Sequence, residues 1–224
     1  MSKQEVTPVL VVGDSGTGKS TMFQNLPPAR TLVINTENKS LPFRNSDSFC
    51  QVVIHTYAEL NSYLDMALSA EGEAAYDYVI LDSFTSATEI INRYTEFAFR
   101  GFDQWKNYNS AIIDIIIKMK KMKQQLFVVS IPEQKDVNFN ESKSYARVKG
   151  KELKYGFLEK EMAIVLFTNP IYDDESGEME DCEMIFKPNR NNSAKCPAGM
   201  FDVRPKNDAL MISDQIKAYY GRAA

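Results

Sequence analysis

Short apolar runs recur along this chain, and between them lie stretches that repeat at helical spacing. Val9 to Val12, set between Pro8 and Gly13 and rich in β-branched residues, reads as a strand buried on both faces. A helix is expected to start near Gly18 and to stop before Pro27 and Pro28, because a residue that precedes proline avoids the helical region. TLVIN (31–35), QVVI (51–54), YVIL (78–81) and LFVVSI (126–131) predict further strands. Apolar spacing at Leu60, Leu64 and Leu68 predicts a helix over 58–70, with others over about 86–100 and 104–125. The polar stretch 133–145 shows no period and reads as a mobile loop. A helix is expected within 151–161. A late strand pair is expected at 163–168 and 183–186, with the turn-forming 173–177 between them, and an amphipathic helix over 208–220. Strands alternating with helices predict an α/β fold with a mainly parallel central sheet flanked by helices, and the length suits a single domain over 1–224.

Charge and composition narrow the function classes. The net charge of -4 excludes a basic footprint over the whole surface, so any nucleic-acid contact must come from local patches. Cys50, Cys182 and Cys196 form no C-x-x-C pair, and His55 stands alone, which argues against a zinc site and fits a reducing cytoplasm. The first residues carry no long apolar region of the signal-peptide type, and no apolar run reaches the roughly eighteen residues that spanning a bilayer takes. A cytoplasmic location is the expectation.

The clearest chemistry lies between the first strand and its helix, in Gly13-Asp14-Ser15-Gly16-Thr17-Gly18-Lys19-Ser20, followed by Thr21. Glycines here allow successive N–H groups to turn inward on phosphate oxygens, and a helix start adds unpaired N–H groups and a positive dipole end. Lys19 is expected to neutralise the β- and γ-phosphates of ATP, and Ser20 to ligate Mg²⁺. Asp82, at the end of YVIL, is the carboxylate expected to support that magnesium; its alternative role is to cap the next helix. Glu37 follows TLVIN at the carboxyl edge of the sheet, where open α/β sheets bind ligands, and is the candidate for orienting the hydrolytic water. The alternative is an ordinary solvated carboxylate.

A Walker A loop, a strand ending in Thr36-Glu37 and a Walker B strand ending in Asp82-Ser83 together resemble the RecA-like ATPase core. The stretch 13–43, GFD at 101–103, VKGKEL at 148–153 and NRNNSAKCPAGMF at 189–201 are similar to small phage-encoded RecA-like ATPases of the AAA type, some of which act in single-strand annealing recombination. The resemblance covers nearly the whole chain. It implies an ATPase of phage DNA recombination or replication in the host cytoplasm. It also implies a homo-oligomer with ATP at subunit interfaces, binding of single-stranded DNA, and help from a single-strand-binding protein. In such assemblies basic residues of a neighbouring subunit reach the γ-phosphate; Lys195 is the first candidate here, with Lys149, Lys151 and Arg190 behind it. The chain lacks the accessory domains of full-length RecA, and Ser130 to Gln134 does not align cleanly with a RecA-type sensor. A nucleotide-gated scaffold with little hydrolysis and a P-loop small-molecule kinase are the competing readings. Sparse, unclustered arginines weigh against the kinase.

Lys143, Arg147, Lys149, Lys151 and Lys154, interleaved with Tyr145 and Tyr155, have the make-up of a single-strand site, in which cations follow the backbone and aromatic rings stack on bases. A solvated charged surface accounts for them equally. The lysines at 118, 120, 121 and 123 instead fit the wet face of a core helix. Trp105 is expected to pack, or to stack on bases where exposed. Tyr94, Phe97, Phe99 and Phe102 are expected to pack, and His55 to serve structure rather than catalysis.

Overall fold

The computed structural model describes residues 7–138, 141–150, 153 and 156–221. Its strands are β1 (Val9–Val12), β2 (Thr31–Asn35), β3 (Cys50–Val53), β4 (Tyr78–Asp82), β5 (Gln125–Ser130), β6 (Pro132–Asn138), β7 (Glu141–Ala146), β8 (Ile164–Tyr172) and β9 (Met179–Ile185). Its helices are α1 (Tyr57–Leu68), α2 (Ala70–Ala75), α3 (Phe84–Ala98), α4 (Gly101–Lys121), α5 (Phe157–Glu161) and α6 (Ala209–Tyr219). Seven strands form one sheet in the order β3-β2-β4-β5-β1-β8-β9. Every pairing in it is parallel except that of β8 with the edge strand β9. No helix among the described residues is long and apolar enough to cross a membrane.

The continuous apolar runs have a direct cause. In β1, Leu10 and Val12 point into one core with Leu60, Leu64, Ile91, Ile112 and Ile115 from α1, α3 and α4. Val9 and Val11 point into the other, with Met22, Phe23 and the α6 residues Ile212 and Ile216. A strand covered on both faces has no polar side, so its sequence loses the alternation of a half-buried strand. Burying each such side chain contributes about 1.5–3 kcal/mol. Ile212 and Ile216 thereby place the terminal helix on its own sheet.

Three expectations are corrected. The helix expected between Gly18 and Pro27 is a single 3-10 stretch over Thr21–Asn25. Leu26 must be extended before Pro27, so too few residues remain to offset the cost of an α-helical nucleus. The expected loop over 133–145 is largely an antiparallel ribbon, β6 with β7, outside the main sheet. Its sequence lacked an apolar period because the ribbon buries little: most of its described residues are exposed or half-buried. Phe97 and Phe102 do not pack; they are 87% and 79% exposed at the junction of α3 and α4. The expected helix over 151–161 is described only as α5, since Lys151, Lys154 and Tyr155 lie outside the described residues.

The ribbon is fastened by the asparagine-rich segment. Ser144 N–H donates to the Asn191 carbonyl at 2.8 Å, and Lys195 exchanges main-chain hydrogen bonds with Val165 of β8 at 2.7 and 3.0 Å. Glu159, on α5 and only 4% exposed, accepts from Ala146 N–H at 2.6 Å and from Ser193 Oγ at 3.0 Å. A buried N–H that loses its acceptor costs about 1–3 kcal/mol. Glu159→Ala is therefore expected to lower the urea midpoint by an equivalent amount at unchanged slope, with Glu159→Gln between it and the parent. An unchanged midpoint in Glu159→Ala would remove the fastening role.

Candidate nucleotide site

Four loops leave the carboxyl edge of the sheet at adjacent strands. The loop after β1 carries residues 13–20, the loop after β2 carries Glu37, β4 ends in Asp82, and β5 is followed by Ile131. Gly16, Lys19, Ser20, Glu37, Asp82 and Ile131 line one cavity of about 540 Å³, with Lys39 and Met179 also on its wall. Pockets of this size hold nucleotide-sized ligands.

The phosphate loop is tied from inside. Thr17 Oγ1 donates to the Asp14 carbonyl at 2.8 Å, and Lys19 Nζ donates to the same carbonyl at 2.5 Å. Gly13 N–H donates to the Ser130 carbonyl at 3.2 Å, which seats the loop on β5. A methyl group at Gly13 would overlap Thr168 Oγ1, so that position needs glycine for close approach. With only a 3-10 turn behind the loop, little helix dipole is available, and anion binding rests on the loop N–H groups and Lys19.

Asp82 is where the sequence placed it. Its Oδ2 accepts from Ser20 Oγ at 2.6 Å. The helix-capping alternative falls to its neighbour: Ser83 Oγ accepts from Ser86 N–H at 3.3 Å and caps α3. Burial pushes the Asp82 carboxyl above the usual aspartate range, against the opposing Ser20 hydrogen bond. Burial pulls the Lys19 ammonium below the usual lysine range, while Asp82, Glu37 and Asp14 oppose that shift. A hydroxyl and a carboxylate side by side, both hard oxygen donors, fit Mg²⁺ with the remaining positions left to phosphate and water. Among the described residues no cluster of three or more His, Cys, Asp or Glu forms a metal site by itself.

Glu37 owes its place to Asn35, which sequence reasoning passed over. The Asn35 side chain is buried; its Oδ1 accepts from the N–H groups of Glu37 (3.0 Å) and Asn38 (2.9 Å), and its Nδ2 donates to the Lys39 carbonyl (2.7 Å). An asparagine that ends a strand and folds the next residues around its own side chain is a recognised turn signal, and could have been read. Lys39 Nζ sits 3.1 Å from Glu37 Oε2, an exposed pairing of small energetic weight. Thr36 joins the strand ends: its Oγ1 donates to the Ser83 carbonyl at 2.7 Å and accepts from Ser83 N–H at 2.8 Å.

The basic candidates lie elsewhere. Lys195 lines a separate depression with Phe186, Lys187 and Cys196, away from the nucleotide cavity of its own chain. Arg190 pairs with Glu141 at 3.8 Å. Arg147 and Lys149 line a groove of about 530 Å³ with Trp105, Thr85, Glu89 and Glu133; Lys151 lies outside the described residues. Trp105 is 42% exposed and meets Tyr108 edge-on. Lys143 lies over the Tyr145 ring on β7. By contrast, Lys118, Lys120 and Lys123 form ion pairs with Asp65, Glu161 and Glu73, as expected of a solvated helix face. His55 gives its main-chain N–H to Glu59 in the cap of α1.

No curated protein matches the chain by sequence. Among solved structures, the KaiC-like protein PH0186 of the hyperthermophilic archaeon Pyrococcus horikoshii OT3 is similar over 86% of this chain and 84% of that one, with a TM-score of 0.49 and 11% identity. A family model described as an AAA domain matches residues 7–197, which include the phosphate loop, Glu37 and Asp82. The chain therefore belongs to the AAA domain family of P-loop proteins.

Proposed function

We propose that the chain binds ATP with magnesium at the carboxyl edge of its sheet and hydrolyses it, in a cycle linked to single-stranded DNA. The observation that carries the reading is the convergence of Lys19, Ser20, Asp82 and Glu37 on one cavity. Lys19 and the loop N–H groups bind the phosphates. Ser20 and Asp82 would hold the magnesium, which would supply neutralisation of the phosphate charge. Glu37 orients a water and accepts its proton as the water oxygen bonds to the γ-phosphorus and the bond to the bridging oxygen of ADP breaks. Phosphate and ADP leave.

The link to DNA is supported by the second groove. Its Thr85 Oγ1 bonds Ser130 Oγ at 3.0 Å and accepts from Ile131 N–H at 3.3 Å. Ser130 holds Gly13 of the phosphate loop, and Ile131 lines the nucleotide cavity, so the end of β5 stands between the two depressions. An exposed tryptophan beside Arg147 and Lys149 suits stacked bases and a phosphate backbone. By the resemblance of its sequence, the chain works as a phage recombination ATPase that promotes annealing or strand exchange beside a single-strand-binding protein. In that reading ATP sits between subunits, and Lys195, Lys149, Lys151 or Arg190 of one copy serves the site of the next.

Glu37→Gln is expected to keep ATP binding and to lose at least about 100-fold in turnover, the scale of general-base loss. Turnover within a few-fold of the parent would sink the assignment. Trp105→Ala should cost about 1–3 kcal/mol in affinity for a labelled single-stranded oligonucleotide. Equal affinity, or ATP turnover indifferent to the oligonucleotide, would return the groove to ordinary surface. The Asp82 shift makes a third prediction. A carboxyl raised in the folded state costs stability as pH climbs from its unfolded value through its folded value. Asp82→Asn is expected to abolish magnesium-dependent turnover yet raise the unliganded Tm by about 2–4 °C per kcal/mol relieved. The gain should vanish in acid, and a lower Tm at pH 7 would contradict it.

A further inference from the structure

Two consecutive carbonyls of the phosphate loop are held from outside by side chains of the last quarter of the chain. The Thr17 carbonyl accepts from Cys182 Sγ at 3.3 Å, and the Gly18 carbonyl accepts from Asn207 Nδ2 at 2.8 Å. In a trans peptide the N–H points opposite to the C=O. Drawing the Thr17 and Gly18 carbonyls outward therefore turns the N–H groups of Gly18 and Lys19 the other way, away from β9. It also keeps two negative oxygen ends from facing a polyphosphate.

The partners fit one another. Gly18 has φ +84°, where side chains are disfavoured, and a Cβ there would lie 2.6 Å from Asn207 Nδ2. Asn207 is itself fixed: its N–H donates to the Cys182 carbonyl at 3.1 Å, and Met184 N–H donates to the Pro205 carbonyl at 2.9 Å, so the segment is laced along β9. On the far side Thr17 Oγ1 meets Thr168 Oγ1 of β8 at 2.8 Å. β8, β9 and the segment after β9 together form an outer brace on a loop that belongs to β1. Asn207 lies outside the stretch that matches the family.

We propose that Asn207, working through the Gly18 carbonyl, is a positioning residue that orients the phosphate-binding amides of the loop. The proposal rests on the reading of the cavity as a nucleoside triphosphate site. Asn207 touches no reacting atom, and its donor acts on how well the ground state and the transition state are both held. Its loss therefore raises KM while sparing kcat.

The test compares Asn207→Ala and Asn207→Leu, the second removing the donor while keeping bulk and adding no charge, with Asp208→Ala, which removes the cap of α6 and the hydrogen bond from Asn25 Nδ2 but leaves the Asn207 bond to the Gly18 carbonyl in place. Dissociation constants for magnesium ATP, the KM and kcat of hydrolysis, and the unliganded Tm are measured for each. Both Asn207 variants are expected to bind ATP about tenfold more weakly with kcat within about twofold, the scale of one hydrogen bond lost from an otherwise intact site. The unliganded Tm of Asn207→Leu should stay near the parent. Asp208→Ala should lower Tm and leave ATP affinity alone. ATP affinity within twofold of the parent in Asn207→Leu overturns the proposal, as does an equal loss of affinity in Asp208→Ala. A parent chain that binds no ATP would instead overturn the proposed function and is seen before any variant is made.

Discussion

The Thr36 hydroxyl donates to the carbonyl and accepts from the N–H of a single residue, Ser83, and all three groups are buried. Where β2 and β4 part company at the sheet edge, their ladder ends; the Ser83 carbonyl also accepts from Ala87 N–H at 3.0 Å, but the buried Ser83 N–H would otherwise lack a partner. Leaving that N–H unpaired costs about 1–3 kcal/mol, so the strand ends are locked at this point. Asp82 precedes Ser83 and Glu37 follows Thr36. The same lock therefore sets the carboxylate beside Ser20 and the carboxylate across the cavity in one frame, and Asn35 needs only to fold the next turn.

Electrostatics at that edge run against the fold. Lys19 and Asp82 are each driven by burial toward the neutral form, and their mutual attraction only partly opposes this. Such a site holds charges that the folding of the chain does not need. Its own charges are complementary to a cation and a polyanion brought in together, which completes the shells that the protein leaves open. A cavity that costs stability when it stands alone is what a binding site for charged ligands looks like.

Much of the architecture was legible because β1, β2, β4 and β5 are covered on both faces. A short, β-branched apolar run bounded by turn residues fits a buried strand far better than a helix, which needs more residues to form. Asp82 and Glu37 were legible for a related reason: both end such runs, so an edge position followed from a strand assignment. What was lost lies where the physics leaves no periodic trace. A polar ribbon outside the sheet has no buried face to impose alternation, and β6 and β7 read as loop. The 3-10 turn after the phosphate loop was masked by a motif that ordinarily opens a longer helix, although Pro27 and Pro28 were in view. Asn35 and Asn207 act through main-chain partners, one nearby and one 189 positions away. The distant kind of pairing is set by topology and carries no local signal.

The position of β1 in the sheet has a consequence for the order in which the protein is made. The strand that bears the phosphate loop leaves the ribosome well before its two neighbours, β5 and β8, and β8 begins only at Ile164. Until β8 has been synthesised, one edge of β1 lacks its partner, and until α6 has followed, Val9 and Val11 lack part of their cover. Contacts of such long sequence separation slow folding. For a nascent chain, the nucleotide cradle is thus written well before it can be built.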